Sequence, residues 1–146
     1  MATSRVLVVD DFEPFRRIIV SILEQESGLQ LVGEGSDGLG AVKKAADLRP
    51  DLIVLDIGLP SLNGREAARE IRALAPQSRI LFVSQESQRE IVQAALKVGA
   101  RGYVHKMDAQ RELLTAIKAV IRGEVYVSSG VRRPDLIFPN GNAPDC

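Results

Sequence analysis

Leu52-Ile53-Val54-Leu55 is apolar at every position and stops at a single carboxylate, Asp56. A strand with one wet face alternates apolar and polar residues; this run does not. It is therefore predicted to be buried on both faces, as in a parallel sheet covered by helices. The turn formers Gly58, Pro60, Asn63 and Gly64 follow it. In open α/β sheets ligands bind at the carboxyl edge, which makes Asp56 the first candidate for a chemical centre.

The rest of the chain repeats this unit on either side. Arg5-Val6-Leu7-Val8-Val9 is a β-branched run that stops at Asp10-Asp11. Phe12, Phe15, Ile18, Ile19, Ile22 and Leu23 then fall on one helical face, with Pro14 suited to the first turn and Gly28 as the stop. Leu29 to Glu34 reads as a second, more polar strand near a sheet edge. Asp37 can cap a helix whose buried side is Leu39, Val42, Ala45, Ala46 and Leu48. After Asp56, Asn63 can cap a helix through Ala67, Ala68, Ile71 and Leu74. Arg79 to Ser84 is a fourth strand, followed by a helix through Ile91, Ala94, Ala95, Leu96 and Val98 that ends at Gly99. Arg101 to His105 is a short fifth strand closed by Lys106, and Asp108 can cap a last helix through Leu113, Leu114, Ile117, Val120 and Ile121. Strands alternating with helices in this way specify a parallel sheet with right-handed crossovers and helices on both faces.

Residues 1–123 are thus predicted to form one domain. Residues 124–146 carry Ser128-Ser129-Gly130, three prolines and Asn140-Gly141-Asn142 without a period, and read as an extension or linker with little structure of its own. The 146-residue chain balances 19 basic against 19 acidic residues, which argues against a generic electrostatic grip on nucleic acid or an anionic membrane. Its one cysteine, Cys146, excludes an intramolecular disulfide and a cysteine-based zinc site. No apolar run approaches the roughly 18 residues of a membrane span, and no signal-peptide pattern opens the chain, so the reading is a cytoplasmic protein.

A parallel sheet delivers the last residue of every strand to one edge. Here these residues are Asp10 and Asp11, then Asp56, Ser84 and Lys106. Consecutive strand residues point to opposite faces, so Asp10 and Asp11 share a site only where the chain has already left the strand. Three close carboxylates repel unless a cation intervenes, and magnesium prefers such oxygen ligands beside a phosphate. Lys106 can pair with Asp56 or with a phosphoryl group, and Ser84 can donate to a phosphoryl oxygen. The set suits an aspartate that accepts a phosphoryl group. Taken singly, the acidic pair could merely cap the next helix, Ser84 could do the same, and His105 has no ligand partner in the sequence.

From about Arg5 to Gly123 the chain resembles the receiver domain of bacterial two-component response regulators. The resemblance rests on Asp10-Asp11, on Asp56 closing the third strand, on Ser84, and on Tyr103 with Lys106. It implies a flavodoxin-like, doubly wound sheet of five parallel strands in the order 2-1-3-4-5 with five helices. It also implies Asp56 as phosphoacceptor, served by a histidine kinase or phosphotransfer protein. Asp11, Asp56 and the backbone carbonyl of Gly58 would hold Mg2+, with Asp10 helping to position it. Ser84 and Lys106 would bind phosphoryl oxygens, and Ser84 and Tyr103 would form the switch. A downstream protein partner would dock on the fourth helix (about Ser87 to Val98), the fifth strand and the fifth helix. Self-association into a homodimer is left open, and direct nucleic-acid binding is not expected.

The segment from Gly102 through Val127 is most similar to receivers that carry a C-terminal helix-turn-helix, which the residues after the last helix are too few to form; a stand-alone receiver is the favoured expectation, with a fragment as the alternative. The chain departs from the family pattern at Gln85, where a small residue usually opens the site, at Met107, where proline is frequent, and at Gly58, where a larger polar residue is common. Two rivals follow. One is a degenerate receiver that binds partners without phosphorylation, supported by Gln85. The other is a haloacid-dehalogenase-like phosphatase, which wants a second acid where this chain has Gly58.

Overall fold

A computed structural model describes residues 3–138. Six parallel strands form one sheet in the order β2-β1-β3-β4-β5-β6. In chain order the elements are β1 (Ser4–Val9), α1 (Glu13–Glu24), β2 (Leu29–Gly35), α2 (Gly38–Leu48), β3 (Leu52–Leu55), α3 (Gly64–Leu74), β4 (Arg79–Ser84), α4 (Arg89–Lys97) and β5 (Gly102–His105). A 3-10 turn (Lys106–Asp108), α5 (Ala109–Ile121) and β6 (Tyr126–Val127) complete them.

The sheet is the middle of three layers because its central strands are apolar on both sides. Along β1, Leu7 and Val9 pack with Ala41 of α2, Ile71 of α3 and Leu96 of α4. The intervening Val6 and Val8 face the opposite layer, with Leu23 of α1 and Ile117 of α5. This two-residue alternation between two dry faces is why β3, and β1 from Val6 to Val9, show no polar positions. β2 lies at the edge and is only partly buried along most of its length, in keeping with its polar character.

Several caps follow the sequence. Pro14 sits in the first turn of α1, Asp37 accepts the Gly40 N–H at 2.6 Å, and Asn63 and Glu66 form a reciprocal capping box on α3. Gly64 is required at the start of α3: a Cβ there would lie 2.1 Å from the carbonyl oxygen of Asp56. The backbone of α3 thus presses directly on the chain that leaves β3, and the Gly64 N–H donates to the Ile57 carbonyl at 2.7 Å. That contact fixes the backbone on which Asp56 is carried.

Other expectations are corrected. α1 ends at Glu24, before Gly28, because the Gln25 N–H turns back to the Ile22 carbonyl and the Glu26 N–H to that of Leu23. Leu39 is exposed, since it lies two residues, about 200° of helical rotation, from the buried Ala41. Phe12 and Leu74, assigned to apolar faces, are also exposed. Asp108 does not cap α5; its buried carboxylate accepts instead from Ser128 Oγ at 2.7 Å and Gly130 N–H at 2.9 Å.

The largest correction concerns the C-terminal residues. The sheet has six strands, not five, because Tyr126–Val127 pairs with Gly102–Tyr103 of β5. Beyond it the chain is packed as far as it is described, with Val127, Val131 and Leu136 buried in the same core as α4. Three polar fastenings compensate for the short strand: Ser128 and Gly130 on Asp108, Ser129 and Tyr126 on Glu112, and Ile137 on Gln93. The expectation of little structure therefore fails for residues 124–138, while Asn140-Gly141-Asn142 and Cys146 lie outside the described residues. Among the described residues no helix is long and apolar enough to cross a membrane.

Candidate functional site

β1 and β3 are neighbours, so their C-terminal ends deliver Asp10 and Asp56 side by side, with the Asp56 N–H donating to the Val9 carbonyl at 3.1 Å. β1 ends at Val9, and both Asp10 and Asp11 lie beyond it. The chain has therefore left the strand before the acidic pair, which frees both side chains to turn to one site. Asp10 is 1% exposed and accepts the Phe12 N–H on Oδ1 at 2.8 Å, a turn bond ahead of α1 rather than a cap on it. Asp11 is exposed at the rim. One carboxylate oxygen each from Asp10, Asp11 and Asp56 lie within 4.8 Å of one another.

Lys106 comes from the end of β5 and crosses to these acids. Its Nζ lies 2.9 Å from Asp10 Oδ2 and 3.2 Å from Asp56 Oδ2, with only 10% of the side chain exposed. It also sits 4.6 Å from the ring centroid of Phe15, a cation–π contact from α1. Three carboxylates face this single ammonium. Asp10 Oδ2 is buried and rests on the Lys106 ammonium. Three carboxylates beside one ammonium leave the cluster short of positive charge, and a hard divalent cation is the group that would balance it.

Burial raises the Asp56 carboxyl above its ordinary pKa; Lys106 opposes the rise and Asp10 adds to it. For Lys106, burial would lower the pKa, but the hydrogen bond to Asp10 and the two negative charges outweigh it and hold the amine above its usual range. The ammonium is thereby kept charged while Asp56 is poised closer to neutrality than an ordinary aspartate.

Ser84, the last residue of β4, is buried and its Oγ accepts the Glu86 N–H at 3.1 Å. Gln85 is exposed and Gly58 donates its N–H to Asp56 Oδ1 at 3.4 Å. Together with Asp11, Asp56 and Lys106 they line an open cleft of about 340 Å³. A Cβ on Gly58 would meet nothing within 4 Å, so its small size leaves open space in that cleft. Tyr103 does not line the cleft: its ring is buried, and its hydroxyl donates to the Glu86 carbonyl at 2.7 Å.

His105, which has no ligand partner in the sequence, joins two loops. Its Nδ1 accepts the Met107 N–H at 3.3 Å, so Nε2 carries the proton and donates to the Gln85 carbonyl at 2.9 Å. Phe15 was read only as part of a helical face, and its contact with Lys106 had no sequence signal. The Lys106–Met107 peptide is trans, as are all peptide bonds of the described residues.

A family model described as the response regulator receiver domain matches residues 6–118. The response regulator GacA of Pseudomonas viridiflava is 35% identical over 124 residues, which cover 85% of this chain and 58% of that protein. Among solved structures, a two-component response regulator of the LuxR family from Aurantimonas sp. SI85-9A1 superposes with a TM-score of 0.85 at 32% identity, covering 89% of this chain and 93% of the other. The signal receiver domain of the response regulator NarL from Mycobacterium tuberculosis gives 0.81 at 30% identity, covering 85% and 100%. The chain spans 52–62% of the length of the first curated relatives it matches.

Proposed function

This chain belongs to the response regulator receiver domain family, and from that membership we propose that it is an active phosphoacceptor of two-component signalling, modified on Asp56. The observation that carries the reading is the meeting of Asp56, Asp10, Asp11 and Lys106 at one edge of the sheet, three carboxylates beside one ammonium.

In the proposed reaction a carboxylate oxygen of Asp56 attacks the phosphorus of a phosphohistidine on a histidine kinase or phosphotransfer protein. The P–N bond breaks, and the imidazole leaves with its electron pair. Water later attacks the acyl phosphate and releases inorganic phosphate, regenerating the carboxylate. Asp10, Asp11 and Asp56, with the Gly58 carbonyl, are the groups that would hold Mg2+, which when bound supplies charge neutralisation for a phosphoryl group. Lys106 pairs with Asp56 beforehand and with a phosphoryl oxygen afterwards. Ser84 donates its hydroxyl to a second phosphoryl oxygen, and Tyr103 responds through the β4–α4 loop. Gln85 at the cleft rim governs access of water and partners, and Gly58 leaves space beside it. The chain is a signalling acceptor, cytoplasmic, acting only on itself, with α4, β5 and α5 as its readout face.

Intact mass after incubation with Mg2+ and acetyl phosphate tests this. The expected result is one phosphoryl adduct, mapped to Asp56 and absent from Asp56→Asn. An unmodified wild-type chain, also after exposure to a competent kinase, would favour the phosphorylation-independent reading instead.

A further inference from the structure

α4 and the open edge of β5 form a surface that this chain covers with its own C-terminal segment. Gln93 of α4 is only 7% exposed, and its amide is committed to the backbone of one residue. Nε2 donates to the Ile137 carbonyl at 2.8 Å and Oε1 accepts the Ile137 N–H at 2.8 Å. These are the two bonds that a neighbouring strand would make, so Gln93 reads a peptide backbone and not its side chain. The Ile137 side chain itself is 65% exposed. Val131 and Leu136 fill the apolar part of the surface, and Arg89 pairs with Asp135 at 2.5 Å.

We propose that residues 126–138 are an autoinhibitory occupant of this surface, and that phosphorylation of Asp56 releases them. The proposal rests on the phosphoacceptor reading above. The mechanical link is the loop between β4 and α4. On its cleft side, Ser84 Oγ accepts the Glu86 N–H and Tyr103 donates to the Glu86 carbonyl. On its far side, Arg133 of the occupant donates to the Ser87 carbonyl at 3.4 Å, two residues before Arg89. When an Asp56 oxygen attacks the phosphorus of acetyl phosphate, the P–O bond to the acetyl group breaks and acetate leaves with the electron pair. The new phosphoryl oxygens draw the Ser84 hydroxyl away from Glu86, and the loop that holds Arg133 loses an anchor. By linkage, the seated segment must oppose phosphorylation to the same degree that phosphorylation opposes its seating.

Hydrogen exchange read by mass spectrometry on the full chain tests this, with Mg2+ and acetyl phosphate as the probe. Peptides spanning 126–138 are expected to exchange about tenfold faster in the adduct-bearing chain, with β1 peptides unchanged. Gln93→Ala, and the surface variant Asp135→Ala in case the first fails to fold, are expected to show faster exchange there without phosphodonor. Both should also acquire the adduct faster than wild type. An adduct with unchanged exchange in 126–138 would overturn the release and leave the phosphoacceptor reading standing. Wild-type protection in both variants would overturn the autoinhibitory seating. Absence of any adduct would overturn both readings together.

Discussion

Tyr103 donates its hydroxyl to the carbonyl of Glu86 at 2.7 Å, tying the buried centre of β5 to the loop that borders the Asp56 cleft. Tyr103→Phe keeps the ring against Phe82, whose centroid lies 6.4 Å away, and deletes only this bond. Because the loop is exposed, water can replace the donor, and the expected loss is about 0.5–1.5 kcal/mol in urea unfolding. Burial pushes the Tyr103 hydroxyl up to about 12, and Tyr126 likewise. An ultraviolet titration of the folded chain should therefore show little tyrosinate at the ordinary 10.0, and ionisation of both near 10.0 would contradict the burial of Tyr103 and the pairing of half-buried Tyr126 with Glu112.

Lys106 is the cation that permits Asp10 and Asp56 to be buried together. Lys106→Met should destabilise the fold by about 3 kcal/mol near neutral pH, since it leaves two carboxylates without their partner. Asp56→Asn should act in the opposite direction. The folded carboxyl has a raised pKa, so above 3.8 the native state binds more protons than the unfolded chain, and stability falls as pH rises through the folded pKa. Asparagine cannot ionise, and the variant is expected to match or exceed wild-type stability at neutral pH in thermal unfolding. A large loss of stability in Asp56→Asn would show that the charged pair is net favourable.

Mg2+ should raise the melting temperature through the acidic group formed by Asp10, Asp11 and Asp56. At a hundredfold excess over Kd the stabilisation is about 2.7 kcal/mol. Asp11 is exposed, so Asp11→Asn should leave the metal-free melting temperature unchanged and abolish most of the Mg2+ response. An undiminished response in that variant would move the metal away from Asp11.

Glu112 holds the end of β6 through Tyr126 Oη at 2.7 Å and the Ser129 N–H at 3.1 Å. Burial would raise its pKa, but the hydrogen bonds from Ser129 and Tyr126 outweigh it and keep the carboxyl below 4.5. The unfolded chain then binds more protons in acid. The contribution is present above 4.5 and is lost as pH falls through the folded pKa. Urea midpoints on either side of 4.5 should therefore differ more in wild type than in Glu112→Gln, and equal differences would remove Glu112 from the acid limb.

The amino-acid sequence by itself determined the alternation of strands and helices, the two dry faces of β1 and β3, and the residues left at the ends of the strands. These are local properties. An apolar run without alternation reports burial on both faces, and a parallel sheet then brings Asp10, Asp11, Asp56, Ser84 and Lys106 to one edge whatever the loops do. Only the tertiary structure decided which polar groups meet. The Tyr103–Glu86, Gln93–Ile137 and His105–Gln85 pairs join residues on different elements, with no period in the chain to announce them. β6 escaped notice for the same reason. Two residues carry too little apolar pattern to read as a strand; Tyr126–Val127 is held by the edge of β5, and Ser128 and Gly130 just after it by the buried carboxylate of Asp108, both of which exist only once the rest of the chain has folded.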